Sequence, residues 1–233
     1  MLEKIRQDLI RLKNAERAKN AQWFFQTGPG QYAEGDIFYG ITVPNQRKVA
    51  KKYPNLTFID LQELLSSGIH EERLVALFIM VNQYQKASAK LKKQLVTFYL
   101  KNAKRVNNWD LVDSSAHKIL GAYLLDKPKA ILYRLANSKN LWEKRIAIIA
   151  TFMLIKNNLF DDALAIAEKL LNDKHDLIHK AVGWMLREVG KRNIVVEENF
   201  LRQHYKTMPR TMLCYAIEKF PPYRRVQYLK GLI

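Results

Sequence analysis

In the stretch VNNWDLVDSS, residues 106–115, Trp109 and Asp113 stand four positions apart. On a helix that spacing puts both side chains on one face. A carboxylate and the π-face of an indole each favour positive charge beside them. Yet the chain is strongly basic, with 39 Lys and Arg against 22 Asp and Glu and a formal charge of +17. Such an excess suits a polyanion, and nucleic acid is the partner it favours over a protein merely kept soluble by its charge. Why a chain of this charge sets an aromatic plane and a carboxylate side by side is the question the stretch raises. Asp110, one residue after Trp109, points about 100° away from it.

A second cluster lies in HKAVGWMLRE, where Lys180, Trp184 and Arg187 step by four and three along one face. A Trp between two cations is a poor core and a good nucleic-acid surface, and Gly183 lets another backbone come close. The competing reading is a half-buried Trp with Lys and Arg stems snorkelling beside it. Arg145, in NLWEKRIAIIA, stands among apolar residues; taken singly, an Arg there pairs with an acid of a neighbouring helix. Lys86, Lys90, Lys93, Lys101 and Lys104 fall within about 60° on a continuous helix. That stripe fits a solvated face or a duplex backbone.

Other chemistries find little support. Cys214 is the single cysteine, which excludes a disulfide framework and a thiolate metal cluster. His175 and His179 have i,i+4 spacing without HExxH or further ligands, so no metal and no cofactor is expected. The segment QTGPGQYAEGDIFYGITVP, residues 26–44, holds four of the nine glycines. No GK[ST] follows and no strand precedes, which makes it an ordered loop rather than a phosphate cradle. The N-terminus carries charges every few residues, unlike a signal peptide, and the longest apolar run, residues 146–155, is about half a membrane span. A soluble, cytoplasmic protein is expected.

The elements that must position these residues are helices. Leu2, Ile5, Leu9 and Leu12 step by three and four, and the same period runs through HEERLVALFIMVNQY, EKRIAIIATFMLI, DALAIAEKLL and HKAVGWMLREV. No sustained alternation of period two occurs. All seven prolines fall between these runs or in a first turn. Asp126 and Asp161 are candidate N-caps. Apolar helices near Glu71, Asp110, Glu143, Ile178 and Pro209 recur at an irregular period of 30 to 40 residues, one helix pair per step. The expected fold is all-α, a single HEAT-like helical-repeat domain over residues 1–233 with a concave basic groove; a plain bundle is the alternative.

WDLVD (109–113), LWEKRIAII (141–149) and IHKAVGWMLRE (178–188) resemble, in order and spacing, three segments of the AlkD-like DNA alkylation repair proteins. YGITVPNQRKVAKKY resembles that family's N-terminal segment, and the similarity runs from about residue 20 to 225. These are HEAT-like-repeat DNA glycosylases that excise cationic N3- and N7-alkylated purines without having to flip the base into a pocket. The resemblance implies that Asp113 is the catalytic carboxylate, that Trp109 and Trp184 contact the lesion-bearing nucleotide, and that Arg145 and Arg187 hold the backbone; Lys180, on the face of Trp184 and Arg187, is expected to grip phosphate with them. It implies double-stranded DNA carrying alkylated purines as partner, and a monomer, nucleoid-associated when acting on DNA. Asn108 stands where many relatives carry a second Trp, and the glycine-rich segment is longer than in compact members. The alternatives are a non-catalytic protein that binds bent or branched DNA and a scaffold for an acidic protein.

Overall fold

The protein is described by a computed structural model that covers residues 1–233. Fourteen α-helices form, and no strand. They are α1 (Leu2–Ile10), α2 (Ala15–Phe24), α3 (Val43–Lys52), α4 (Phe58–Leu65), α5 (His70–Lys86), α6 (Ala89–Lys101) and α7 (Trp109–Ala116). Then follow α8 (Ala130–Ala136), α9 (Leu141–Lys156), α10 (Asp161–Lys169), α11 (Asp176–Gly190), α12 (Ile194–His204), α13 (Arg210–Ala216) and α14 (Pro222–Lys230). Helices α5, α7, α9, α11 and α13 each begin within two residues of the positions where the sequence marked a new repeat. The fold is an all-α helical repeat, as the period predicts.

Local chemistry sets the boundaries. Thr57 and Asp60 form a capping box that starts α4. Ser88, Asn140 and Asn193 cap α6, α9 and α12 with side-chain oxygens. Pro44 and Pro222 sit in the first turns of α3 and α14, where a missing N–H does no harm. Two expected caps are displaced: Lys129 rather than Asp126 precedes α8, and Asp161 is already inside α10, after Phe160. The lysine stripe is also broken. Lys86 ends α5, Lys90 and Lys93 open α6, and Lys104 belongs to a separate 3₁₀ turn. Ser88, by capping, starts a new helix in the middle of the presumed stripe.

The chain's internal contacts divide it into two compact units, Met1–Ser115 and Ala116–Ile233. In the first, α5 is the central helix. Every residue from His70 to Val81 is buried, and α1, α3, α4 and α6 pack around it. A helix buried on all sides shows no amphipathic stripe. In the second, α9 has the same role, with α8, α10, α11 and a π-helical turn (His117–Gly121) against it. A Cβ on Gly121 would lie 2.2 Å from the Ala150 carbonyl oxygen of α9, so this turn requires a glycine.

Helix α11 carries another tight contact of the second unit. A Cβ on Gly183 would meet the Met212 carbonyl oxygen at 2.4 Å and the Tyr215 Cβ at 2.5 Å, both on α13. The close approach that this glycine permits is therefore that of a neighbouring helix. Gly183→Ala is expected to force α11 and α13 apart and lower stability by about 1–3 kcal/mol, as overpacking does. Thermal melts followed by circular dichroism measure this; an unchanged midpoint would mean that another residue sets the α11–α13 spacing.

Candidate functional site

The first unit places Trp109 and Asp113 as the spacing requires: both on α7, four residues apart and half-buried. Asn108, fully buried, caps the helix, its side-chain oxygen accepting from the Trp109 N–H at 2.8 Å. Its amide donates to Asp36 at 3.3 Å. Its side chain thus bonds the first N–H of the helix and ties it to the glycine-rich segment. Close to Asp113 lies Tyr99, fully buried and hydrogen-bonded at 3.0 Å to Ser115. Burial chiefly raises the pKa of its phenol, the bond with Ser115 opposes this, and the negative charge of Asp113 adds to the rise.

The indole of Trp109 does not stand alone. It stacks on Phe25 with ring centres 5.2 Å apart and planes at 17°, and Phe24 meets it edge-on at 5.9 Å. Phe25 in turn stacks on Phe38 at 5.0 Å, and Phe38 on His70 at 4.6 Å. Offset stacks of this kind each add roughly 0.5–1.5 kcal/mol beyond the area they bury. No local pattern marks QWFFQ and DIFYG as the platform beneath Trp109, because Phe25 and Phe24 reach it from 84 and 85 residues away.

Behind the platform lies a buried ionic network. His70 bonds Asp110 through Nε2 at 2.8 Å and Asp36 through Nδ1 at 3.2 Å. Arg73 donates to Asp36 at 2.6 Å and to the Ser67 carbonyl at 2.9 Å. The adjoining acids of α5 are also satisfied. Glu71 accepts from the backbone N–H groups of Tyr39, Gly40 and Ile41 at 2.8–3.2 Å, and Glu72 accepts from Arg6 at 3.3 Å. The loop between α2 and α3 is thus pinned to the start of α5 by charge, which buried acids need. Gly40 makes the approach possible, with φ +77° and its α-carbon so close to α2 that a Cβ would meet the Asn14 carbonyl oxygen at 2.2 Å.

Burial works against protonation of His70, but the charge of Asp110 and the bonds to Asp110 and Asp36 outweigh it. Its pKa rises to about 9. Asp36 is held below its usual value: burial opposes this, and the bond to His70 and the charges of Arg73 and His70 overcome it.

In the second unit α11 presents Lys180, Trp184 and Arg187 on its half-buried face, opposite the buried Ile178, Ala181, Val182, Met185 and Leu186. Trp184 tilts against Phe152 at 5.8 Å and donates its indole N–H to Glu188 at 3.0 Å. Lys156 sits 4.8 Å from the Phe152 ring centre. Arg187 bonds Glu218 and lies 3.8 Å from Glu188, while Lys180 pairs with Asp176 at 2.7 Å. Arg145 is 4% exposed, and one of its guanidinium nitrogens donates to the Leu177 carbonyl at the start of α11. Among the three cations, Lys180 has the most exposed side chain, at 40%. His175 caps α11 by accepting from the Leu177 N–H, and the His179 ring bonds the Asp173 carbonyl, so both are occupied by helix-end chemistry.

The His70 network has a pH signature. With a folded pKa near 9 and an unfolded value near 6.5, its stabilisation is complete below about pH 6.5 and is lost as pH rises through about 9. The loss is on the order of 3 kcal/mol. Melting temperature is expected to fall between pH 7 and 9.5 in the wild type, and His70→Gln, uncharged throughout, is expected to show a smaller fall over that window. Equal slopes in the two proteins would remove His70 as the cause.

The likeness to known proteins agrees with this architecture. The sequence profile described as "DNA alkylation repair enzyme" matches residues 5–220. No curated protein matches the chain. Among solved structures, one from Enterococcus faecalis described as a predicted DNA alkylation repair enzyme superposes with a TM-score of 0.68 at 18% identity. The match covers 90% of this chain and 97% of that one, and identity this low carries the fold alone. With the profile spanning nearly its whole length, the chain belongs to the DNA alkylation repair enzyme family.

Proposed function

We propose that the protein is a monofunctional DNA glycosylase that hydrolyses the N-glycosidic bond of cationic N3- and N7-alkylpurines in duplex DNA. The observation that supports this most is the division of labour on α7. Asp110 is bound to His70, whereas Asp113 shares the indole's face at the half-buried surface. Asp110 is tied to His70, and Asp113, beside Trp109, is the acid this reading assigns to the substrate's charge.

The chemistry suits such a site. An alkylpurine that carries positive charge leaves as a neutral base when the C1′–N bond breaks and takes the bonding electrons, so no general acid is required. Positive charge then develops on the deoxyribose. A carboxylate beside the sugar stabilises that charge, and can orient the attacking water and accept its proton as the abasic product forms. The face of Trp109, stiffened by its stack on Phe25, favours the same cationic character.

In this reading Trp184 contributes a second indole face, and Lys180, Arg187 and Arg145 hold phosphate. Residues 1–233 act as one continuous repeat domain, as a monomer in the cytoplasm. Arg187 already has carboxylate partners, so a phosphate would have to take their place. Lys180 makes the simplest phosphate contact. Lys180→Ala is expected to weaken binding similarly across sequences and to flatten the plot of log affinity against log salt by about 0.9. An unchanged slope would confine Lys180 to its pair with Asp176. Arg145→Ala is expected to lower the melting temperature, since the Leu177 carbonyl loses the donor that the buried Arg145 supplies.

The deciding experiment is single-turnover release of 7-methylguanine and 3-methyladenine from methylated duplex DNA. Asp113→Asn is expected to slow release by two or more orders of magnitude, with duplex affinity held or raised. Asp110→Asn is expected to lower the melting temperature through loss of the His70 pair and to spare the chemistry. Full activity in a folded Asp113→Asn protein would overturn the assignment. Wild-type protein that binds DNA but releases no base would be a non-catalytic DNA-binding protein instead.

A further inference from the structure

Helix α2 is ordered, yet none of its residues is buried. It is held at its ends. Asn14 caps it and bonds the Tyr39 carbonyl through its backbone N–H at 2.9 Å, and Phe25, just past the last turn, enters the stack under Trp109. At that end Trp23 is 84% exposed and Phe24 57% exposed. Exposed apolar surface of this size, on two adjoining aromatics, contributes nothing to the core and marks a binding surface.

The surroundings say what would bind. Trp23 and Phe24 border an open recess of about 580 Å³, shared with Lys19, Gln22, Gln26, Thr27, Gly28 and Gln31. That volume lies within the range of small-ligand clefts, roughly 300–1,000 Å³. Its lining combines an aromatic plane, three side-chain amides and a cation, and contains no carboxylate. Gln31 spends its carbonyl oxygen on the Gly28 N–H at 2.8 Å, which leaves its NH₂ as a donor. The acid of α2, Glu16, is in its first turn, about 10 Å from Trp23 along the helix axis. Aromatic planes take the face of a base, amides pair with its edge, and a Lys one turn away meets its phosphate.

We infer that the Trp23 recess holds an unpaired nucleobase of the bound DNA, stacked on the indole, as a station distinct from Trp109 and Asp113. Phe24 joins the two, lining the recess and contacting Trp109 edge-on at 5.9 Å. The inference rests on the reading of the chain as DNA-binding and adds to it a preference for duplex in which one base is unstacked. The overall charge of +17 favours a nucleic acid over an apolar protein partner at this surface.

The test uses two fluorescently labelled duplexes, alike except that one carries a single bulged base. The wild type is expected to bind the bulged duplex about tenfold more tightly, the scale of one base–aromatic stack. Trp23→Ala is expected to lose that preference, to keep its affinity for plain duplex, and to melt at the wild-type temperature, because the side chain is exposed. Trp23→Phe is expected to keep most of the preference. Three outcomes overturn the inference: no preference in the wild type, a preference that survives Trp23→Ala, or a lowered melting temperature that makes Trp23 a packing residue. Equal loss on both duplexes in Trp23→Ala also overturns it, since the indole would then touch only the backbone. Failure of the wild type to bind plain duplex at all would sink the DNA-binding reading itself.

Discussion

The buried imidazolium of His70, held between Asp36 and Asp110, is the interaction on which the first unit depends. Three segments distant in sequence meet there: the glycine-rich loop, the start of α5 and the first turn of α7. None of these charges could be buried alone, since an unpaired ion in the interior costs several kcal/mol. Together they are satisfied, and Arg73 and Asn108 supply the remaining donors to Asp36. The geometry of α7 follows from this. Once Asp110 is anchored inward, helical geometry turns the position before it and the position three residues after it by fixed angles, and Trp109 and Asp113 have their directions set.

The network also explains why two acids so close in sequence can differ in role. A carboxylate that accepts a charged hydrogen bond from a buried histidine loses the freedom to respond to a substrate. Asp110 is in that position, and removing it would leave His70 with one counter-ion in place of two. Asp113, three residues on and about 60° round the helix from Asp110, adds its negative charge to the rise of the Tyr99 phenol's pKa. The platform of Phe25, Phe38 and the His70 ring then restricts how Trp109 can tilt. A rigid indole can favour a particular placement of charge in a way that a mobile one cannot.

Much of this was legible in the sequence, and the limits have physical causes. Helical period and proline placement located the helices, because burial of one face repeats every few residues and needs no knowledge of partners. The starts of α5, α7, α9, α11 and α13 were visible for the same reason. The lysine stripe failed because periodicity cannot see a break: Ala87 is extended and Ser88 begins a new helix, so the angles computed across them have no meaning. Asp126 failed as a cap because Pro128 and Lys129 delay the helix, leaving Asp126 beside Lys127 at the surface. The aromatic platform and the His70 network were invisible for a different reason. Both join side chains through tertiary contacts over 13 to 85 positions, and no local pattern encodes which His meets which Asp.

Helix α11 shows how a functional and a structural reading of one motif can hold together. The backbone that Gly183, beside Trp184, lets come close is that of α13. That contact fixes the rotation of α11 about its own axis, since only the glycine side can come so close. With Ile178, Ala181, Val182 and Met185 also turned inward, Lys180, Trp184 and Arg187 are left on the outer side. The acids then limit what these residues can do. Glu188 takes the indole N–H and lies beside Arg187, while Glu218 bonds that same guanidinium. These pairs hold the side chains in place before any ligand arrives, which lowers the ordering entropy of binding. They also oppose it, because an incoming phosphate must displace a carboxylate. Neutral or weakly matched ligands cannot do so, whereas a polyanion offering several phosphates can. If α11 holds DNA as proposed, these pairs would make it answer a strongly charged backbone and ignore isolated anions.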